Sequence, residues 1–270
     1  MRASRLAPPI IWDNGTEEVT ESFAGGNRAM NASDAVRAVV SALGTRPDGV
    51  TTLDSAAAVL ARLADPGQLL EIIRSIRDDP TLVRQCAAAS GRHPLGHDKI
   101  VLITHSAFHL RVHVWWPDRA PGVEHVHHHR FGVATTVVRG YYDMQVFHRA
   151  AAGISMTEYR QHSNAEAQEW YLESAGTARL RLLATARIAA GAGYILPADA
   201  LHRVLVPRGS LCLTLFLAVM NAAGTPEQTR VFAMPETAAP SLVRAARLSP
   251  GAYLRLLDAI AMELAGAGAI

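Results

Sequence analysis

The chain has 270 residues, 49% of them hydrophobic and 19% charged, with a formal net charge of +2. That balance supports a full apolar core and argues against a disordered polyelectrolyte or a basic nucleic-acid-binding stripe. Basic residues are almost all arginine; Lys99 is the only lysine, which together with the many alanines reads as a GC-rich coding bias.

Residues 1–30 are punctuated by Pro, Gly and Asn and read as a flexible arm. The stretch MRASRLAPPIIWDNG holds no apolar run of signal-peptide type. No window approaches the ~18 apolar residues of a membrane span, so a soluble cytoplasmic protein is expected. Residues 31–92 read as helical. Ser33 is a candidate N-cap before DAVRAVVSAL, which stops at Gly44. A second helix fits Asp54–Ala64. A third follows Pro66, with Leu69, Leu70, Ile73 and Ile76 along one face, and Pro80 opens a fourth that ends at Gly91. These helices carry no catalytic constellation, so their apolar stripes are expected to pack on another element. Cys86 lies in this helical pattern and Cys212 in a strand pattern; without CxxC spacing, both read as small core residues.

Near Lys99 the hydrophobic period changes from 3.6 to 2. KIVLITH, FHLRVHVWW, FGVATTVV, YDMQVFHRA, SMTEYRQH, QEWYLES, ARLRLLATARI and SLCLTLFLAV read as strands separated by short turns. So many strands without intervening helices predict a mainly β domain over 93–235, an antiparallel double sheet or jelly roll. Residues 236–270 return to helix, with Ser249 as cap, Pro250 at the first helical position and an amphipathic AYLRLLDAIAMEL.

The segment GVEHVHHHRFG holds four of the twelve histidines. If it is extended, His125, His127 and His129 share one face, while Glu124, Val126 and His128 point the other way. His127 and His129 then form an HxH pair able to converge on one metal ion, and His202 in GYILPADALHRV is the candidate third ligand. His125 is a supporting hydrogen-bond donor, an acid/base, or an alternative ligand; the need to orient a ligated histidine favours the first. In HLRVHVWW, His109, Arg111, His113 and Trp115 share a face opposite Leu110, Val112, Val114 and Trp116. If the apolar set packs under the helices, Arg111 and His113 point into the barrel, where the arginine suits a carboxylate; otherwise that face is in solvent. Tyr159, Tyr141, Tyr142 and Arg139 are further candidates on barrel strands, and Tyr194 reads as packing.

HxH followed by the GYILP…H segment resembles the two signature motifs of the cupins, which implies a cupin-type double-stranded β-helix with added N-terminal helices and a C-terminal helix. The glutamate usual in the first motif is replaced here by Val133 and Ala134. A three-histidine site without it is similar to the thiol dioxygenases. HPLGHDKIVL, LRVHVWW, HHHRF and LHRV resemble a group of bacterial cysteine-dioxygenase-like cupins, over roughly residues 90–220. No equivalent of the thiol dioxygenases' cysteine–tyrosine crosslink is identifiable. The resemblance implies a mononuclear Fe(II) centre acting as a dioxygenase, with O2, on a small chelating metabolite of specialised metabolism. Zn, Ni, Mn or Cu are alternatives, since imidazoles discriminate poorly among these ions. A non-redox isomerase or lyase and a non-catalytic ligand-binding cupin stay open. No nucleic-acid or membrane partner is indicated, and the tendency of jelly-roll edges to pair suggests a homodimer.

Overall fold

The computed structural model describes residues 10–13, 31–42, 53–93, 96–119, 124–164, 169–220, 228–234, 237, 242–244 and 247–267. Four helices precede the barrel: α1 (Ala32–Ala42), α2 (Asp54–Leu63), α3 (Pro66–Arg77) and α4 (Pro80–Ala89); a fifth, α5 (Pro250–Ala267), follows it. Proline occupies the first position of α3, α4 and α5, where its missing N–H costs nothing. Asp65, Asp79 and Ser249 accept hydrogen bonds from the free N–H groups of those first turns. The cap of α1 differs from expectation. Asn31, rather than Ser33, accepts from Asp34 N–H, and Asp34 accepts in return from Asn31 N–H.

Thirteen strands among the described residues form two antiparallel sheets. The first, of seven strands, runs β1 (Ile10–Asp13), β9 (Ala192–Leu196), β6 (Gly132–Arg139), β11 (Cys212–Val219), β4 (Phe108–Trp115), β3 (Asp98–Thr104) and β2 (Gly91–Arg92). The second runs β10 (Leu201–Leu205), β5 (Val126–His127), β12 (Thr229–Ala233), β7 (Tyr141–Asn164), β8 (Glu169–Ala189) and β13 (Leu242–Arg244). β10 also pairs with β7, so β5 and β10 sit in a notch along that long strand. This is the mainly β fold that was expected, two antiparallel sheets with helices at either end. Within the segment read as a flexible arm, Ile10–Asp13 forms the edge strand beside β9; the remainder of 1–30 lies outside the described residues.

Four predicted strands merge into two. YDMQVFHRA and SMTEYRQH are one strand, β7, and QEWYLES and ARLRLLATARI are one strand, β8. The expected break at Ala151–Gly153 is a bulge instead, with the register jumping between Arg149 and Ile154 opposite Leu180. Gly153 has no side chain because a Cβ there would overlap the Leu180 carbonyl.

Strands β4 and β11 of the first sheet each serve two layers. Leu110, Val112 and Val114 of β4, with Leu213, Leu215 and Leu217 of β11, pack outward on Leu69, Ile72, Ile73 and Ile76 of α3 and Tyr253 and Leu257 of α5. The helical layer is pinned by polar contacts at its seam. Tyr253 donates to the Val101 carbonyl (2.8 Å), and Ser90 accepts from Val101 N–H while donating to the Cys86 carbonyl. The alternate residues Trp115, Cys212, Phe216 and Ala218 face inward, toward Tyr142, Val146 and Ile188 of the second sheet. A third cluster, including Val126, Phe147, Met156 and Phe232, alternates with cavity-facing residues on β5 and β12. Both cysteines are free and buried, and burial pushes the Cys212 thiol up to about 12, consistent with inert core positions. No helix among the described residues is long and apolar enough to cross a membrane.

Candidate metal centre

Between the sheets lies a cavity of about 640 Å³, within the range of sites that hold drug-sized ligands. Seven of the twelve histidines line it: His93, His97, His113, His125, His127, His129 and His202. Three of these converge. One ring nitrogen each from His127, His129 and His202 lies within 4.8 Å of the other two, and the ring centroids are 4.8–5.1 Å apart.

The strand pairing explains the convergence. His202 of β10 is directly opposite His127 of β5, so their side chains share a face. His129 lies just past the end of β5, where its backbone N–H donates to the Ala198 carbonyl in the turn before β10 (3.0 Å). Two of the rings are also aimed. His127 Nδ1–H donates to the His125 carbonyl and His202 Nδ1–H to the Ala200 carbonyl, each at 2.9 Å, leaving both Nε2 lone pairs free. His129 is held instead by stacking on Phe131, at 4.9 Å and 14°. Burial, followed by the neighbouring imidazoles, keeps these rings neutral: His127 is lowered to about 3 and His202 to about 4, while His129 is well below its ordinary value. Three neutral, fixed lone-pair donors around one point fit a transition-metal ion.

His128 faces away, as expected. Its Nδ1–H donates to the His129 carbonyl and its Nε2 accepts from Arg230 N–H, so the ring ties the segment to β12. His125 lines the cavity, yet its support of His127 comes through its backbone carbonyl and not its ring. Arg111 and His113 do point inward. Arg111 Nε and His113 Nε2 are buried without hydrogen-bond partners; the guanidinium sits over Phe131 (5.4 Å) and Phe216 (5.8 Å) and bonds His109 through one Nη.

Other expectations are corrected. Tyr159 is half-buried and does not line the cavity. It stands opposite Val231, which itself stands opposite His127, so β12 separates it from the histidines by two strand spacings, about 9–10 Å. Arg139 is paired with Glu263 of α5 on the helix side, and Tyr141 lies under the Arg187 guanidinium. Tyr194 lines the cavity, where its hydroxyl accepts from Tyr142 OH at 3.1 Å.

Glu124 is the largest departure from the sequence reading. Strict alternation turns it away from the ligand face, but β5 is only two residues long and the alternation does not extend back to it. Its buried carboxyl lines the cavity and accepts from Val204 N–H at 2.9 Å. Burial pushes it up to about 8, against the opposing pull of the Val204 hydrogen bond and Arg203, so it carries a proton at neutral pH. Its adjacency to the histidine run was the available signal. His93, His97 and Lys99 were also missed, although two histidines and the only lysine within seven residues of a strand start marked the place.

A stability consequence follows from Glu124. Unfolded, a glutamate loses its proton near 4.5; folded, this one keeps it to about 8, so its favourable contribution is complete below pH 4.5 and declines as pH rises to 8. The buried histidines act with the opposite sign, gaining stability as pH rises toward 6.5. Glu124→Gln preserves an acceptor for Val204 and removes the titration. Its advantage over the parent in thermal denaturation is expected to grow between pH 5 and 8, by up to a few kcal/mol; a constant difference would mean Glu124 ionises normally.

No protein-family model matches the chain, and no curated protein matches it. Among solved structures it is similar to the formate complex of oxalate decarboxylase from Lactobacillus farciminis, at 12% identity over 51% of this chain and 31% of that one, TM-score 0.30. An 11S globulin from Wrightia tinctoria is similar at 9% identity, 48% and 27% coverage and TM-score 0.29. A chain from the DMSP lyases RdDddP and RnDddQII is similar at 16%, 48% and 50%, and 0.27. The chain thus spans half or less of the length of each. The fold and the site together define a mainly β, double-sheet protein with a three-histidine cluster in the wall of its cavity. The chemistry of that cluster is read from its own geometry.

Proposed function

We propose that this protein is a mononuclear non-heme Fe(II) oxygenase, most simply a dioxygenase, acting with O2 on a small metal-chelating metabolite. The observation that supports it is the donor set: three neutral imidazoles and no carboxylate in the cluster. His127, His129 and His202 would hold the ion. Held by three neutral imidazoles, ferrous iron would keep its +2 charge and would supply chemistry between a chelating substrate and O2. The chain's own residues do the rest. Arg111, half-buried and without an acidic partner among the described residues, is placed to clamp a substrate carboxylate. Phe131 and Phe216 wall off water beside His129.

A non-redox lyase or isomerase is the second reading, and Glu124 favours it. A protonated carboxyl lining the same cavity as the histidines is a ready general acid. The two separate cleanly. Protein purified from anaerobic, iron-replete cells is expected to hold near-stoichiometric iron. In an oxygen electrode it should consume O2 when offered a member of a panel of small chelating acids, and only with iron present. Zinc in place of iron, or turnover without O2, would overturn the oxygenase reading.

A further inference from the structure

The cavity extends past the histidine triad to a second polar end. Phe216 stands between the two: its ring is 6.0 Å from His129 and 4.6 Å from His113. Beyond it, on the inner face of the first sheet, Lys99, His113 and Thr214 are direct cross-strand neighbours on β3, β4 and β11 and form one lateral row. His97 lies over this row, its ring 4.5 Å from that of His113, and Trp170 from the second sheet closes it, 6.0 Å beneath Lys99 Nζ.

What this end lacks is a counter-charge. Lys99 has no acidic partner among the described residues. The nearest carboxylate in the chain, Asp98, is on the other face of β3 and is taken up by Arg119 (2.7 Å), Trp116 Nε1 (2.8 Å) and Arg92 (3.6 Å). Glu124, the carboxyl in the cavity wall, is held on β10 by Val204 N–H (2.9 Å). Three polar atoms at the row are also buried with no hydrogen-bond partner: His97 Nδ1, His113 Nε2 and Thr214 Oγ1. Buried polar atoms are almost always satisfied, and a group of them around an unpaired ammonium marks a place where a ligand supplies the partners. That ligand must accept hydrogen bonds and carry negative charge.

We propose that Lys99, His97, His113 and Thr214 form an oxyanion subsite, which takes a carboxylate or phosphate group at the far end of the substrate. The substrate is then a molecule with two separated functions: a chelating head at the triad and an acidic tail beyond Phe216. Assigning the tail to the substrate rests on the metal-enzyme reading; the oxyanion subsite itself does not. Arg111 serves the head, so the tail is a second acidic group.

The test uses the full-length protein, inorganic phosphate and acetate as separate probes at constant ionic strength, and tryptophan fluorescence as readout, since Trp170 and Trp115 border the row. At least one probe is expected to bind saturably at pH 7, the tighter one naming the acid. Lys99→Met should weaken it by about tenfold or more, the usual worth of a charge-assisted hydrogen bond. Lys99→Arg should retain most of it, and His202→Ala should bind it as the parent does. Absence of saturable binding of either probe by the parent, or equal binding by a Lys99→Met variant with unchanged circular dichroism, would overturn the subsite. Failure of the metal reading instead appears only as loss of iron retention or O2 use, with anion binding intact.

Discussion

His202→Ala protein is expected to lose metal altogether under conditions where the parent binds one equivalent, and His127→Ala and His129→Ala should do the same. The cluster has no fourth member among the described residues: His128 is turned toward β12, and His125, though it lines the cavity, lies outside the group of converging ring nitrogens. Removing only the orienting partner of a ligand typically costs 10–100-fold in affinity, so loss of one ligand from three should exceed about that range. His128→Ala is the control and should retain metal. Between pH 5 and pH 7 the affinity is expected to be flat. Because burial lowers His127 to about 3 and His202 to about 4, protons do not compete with the ion at pH 5, where an ordinary imidazole would already be protonated. Metal content by plasma emission after dialysis at pH 5 and pH 7 should therefore be equal. Metal retained by His202→Ala would show that the ligand set is wrong.

Gly140→Ala should be the most destabilising single-atom change in the barrel. Gly140 joins β6 to β7 at φ +77°, and an added Cβ would overlap the Leu211 carbonyl oxygen and approach Cys212 Cα to 3.2 Å. The backbone there cannot yield, because β11 is paired on one side with β4 and on the other with β6. The left-handed conformation alone costs a non-glycine residue about 1–2 kcal/mol. With the clash, a total of about 3–5 kcal/mol is expected, a large share of a normal stability of about 5–15 kcal/mol. Gly191→Ala separates the two contributions, since Gly191 has φ +88° with nothing within 4 Å of the added carbon. Urea denaturation should show a loss of about 1–2 kcal/mol for Gly191→Ala and several times that for Gly140→Ala. Equal losses would remove the steric argument.

How far the sequence could be read depended on regular backbone. Alternation along β4 put Arg111 and His113 on one face and Val112 on the other, because eight residues of uninterrupted pairing impose a strict two-residue period; which face lines the cavity came only from the structure. The HxH spacing and the proline-marked turn before His202 pointed to the triad by motif and not by period, since His129 lies past the end of β5 and is placed by its bond to the Ala198 carbonyl. Glu124 was misplaced because β5 is too short to carry a period to it. His93 and His97 escaped because they precede β3 outside any repeating pattern, where only tertiary packing decides direction. Lys99 looked like a matter of composition until its cross-strand position opposite His113 was known. The long hairpin of β7 and β8 was cut in two because a bulge and a turn carry the same small residues, Ala151, Ala152 and Gly153.

The two-sided use of the first sheet has a bearing on how this protein can change. From Arg111 to Trp115, odd-numbered positions meet the ligand space and even-numbered positions meet the helices. Neighbouring codons thus answer to different selections, one for chemistry and the next for a standing scaffold. Drift in one set need not disturb the other. A lineage built on this barrel can reshape its cavity by rewriting alternate residues of β4 and β11 while the helical layer keeps its footing.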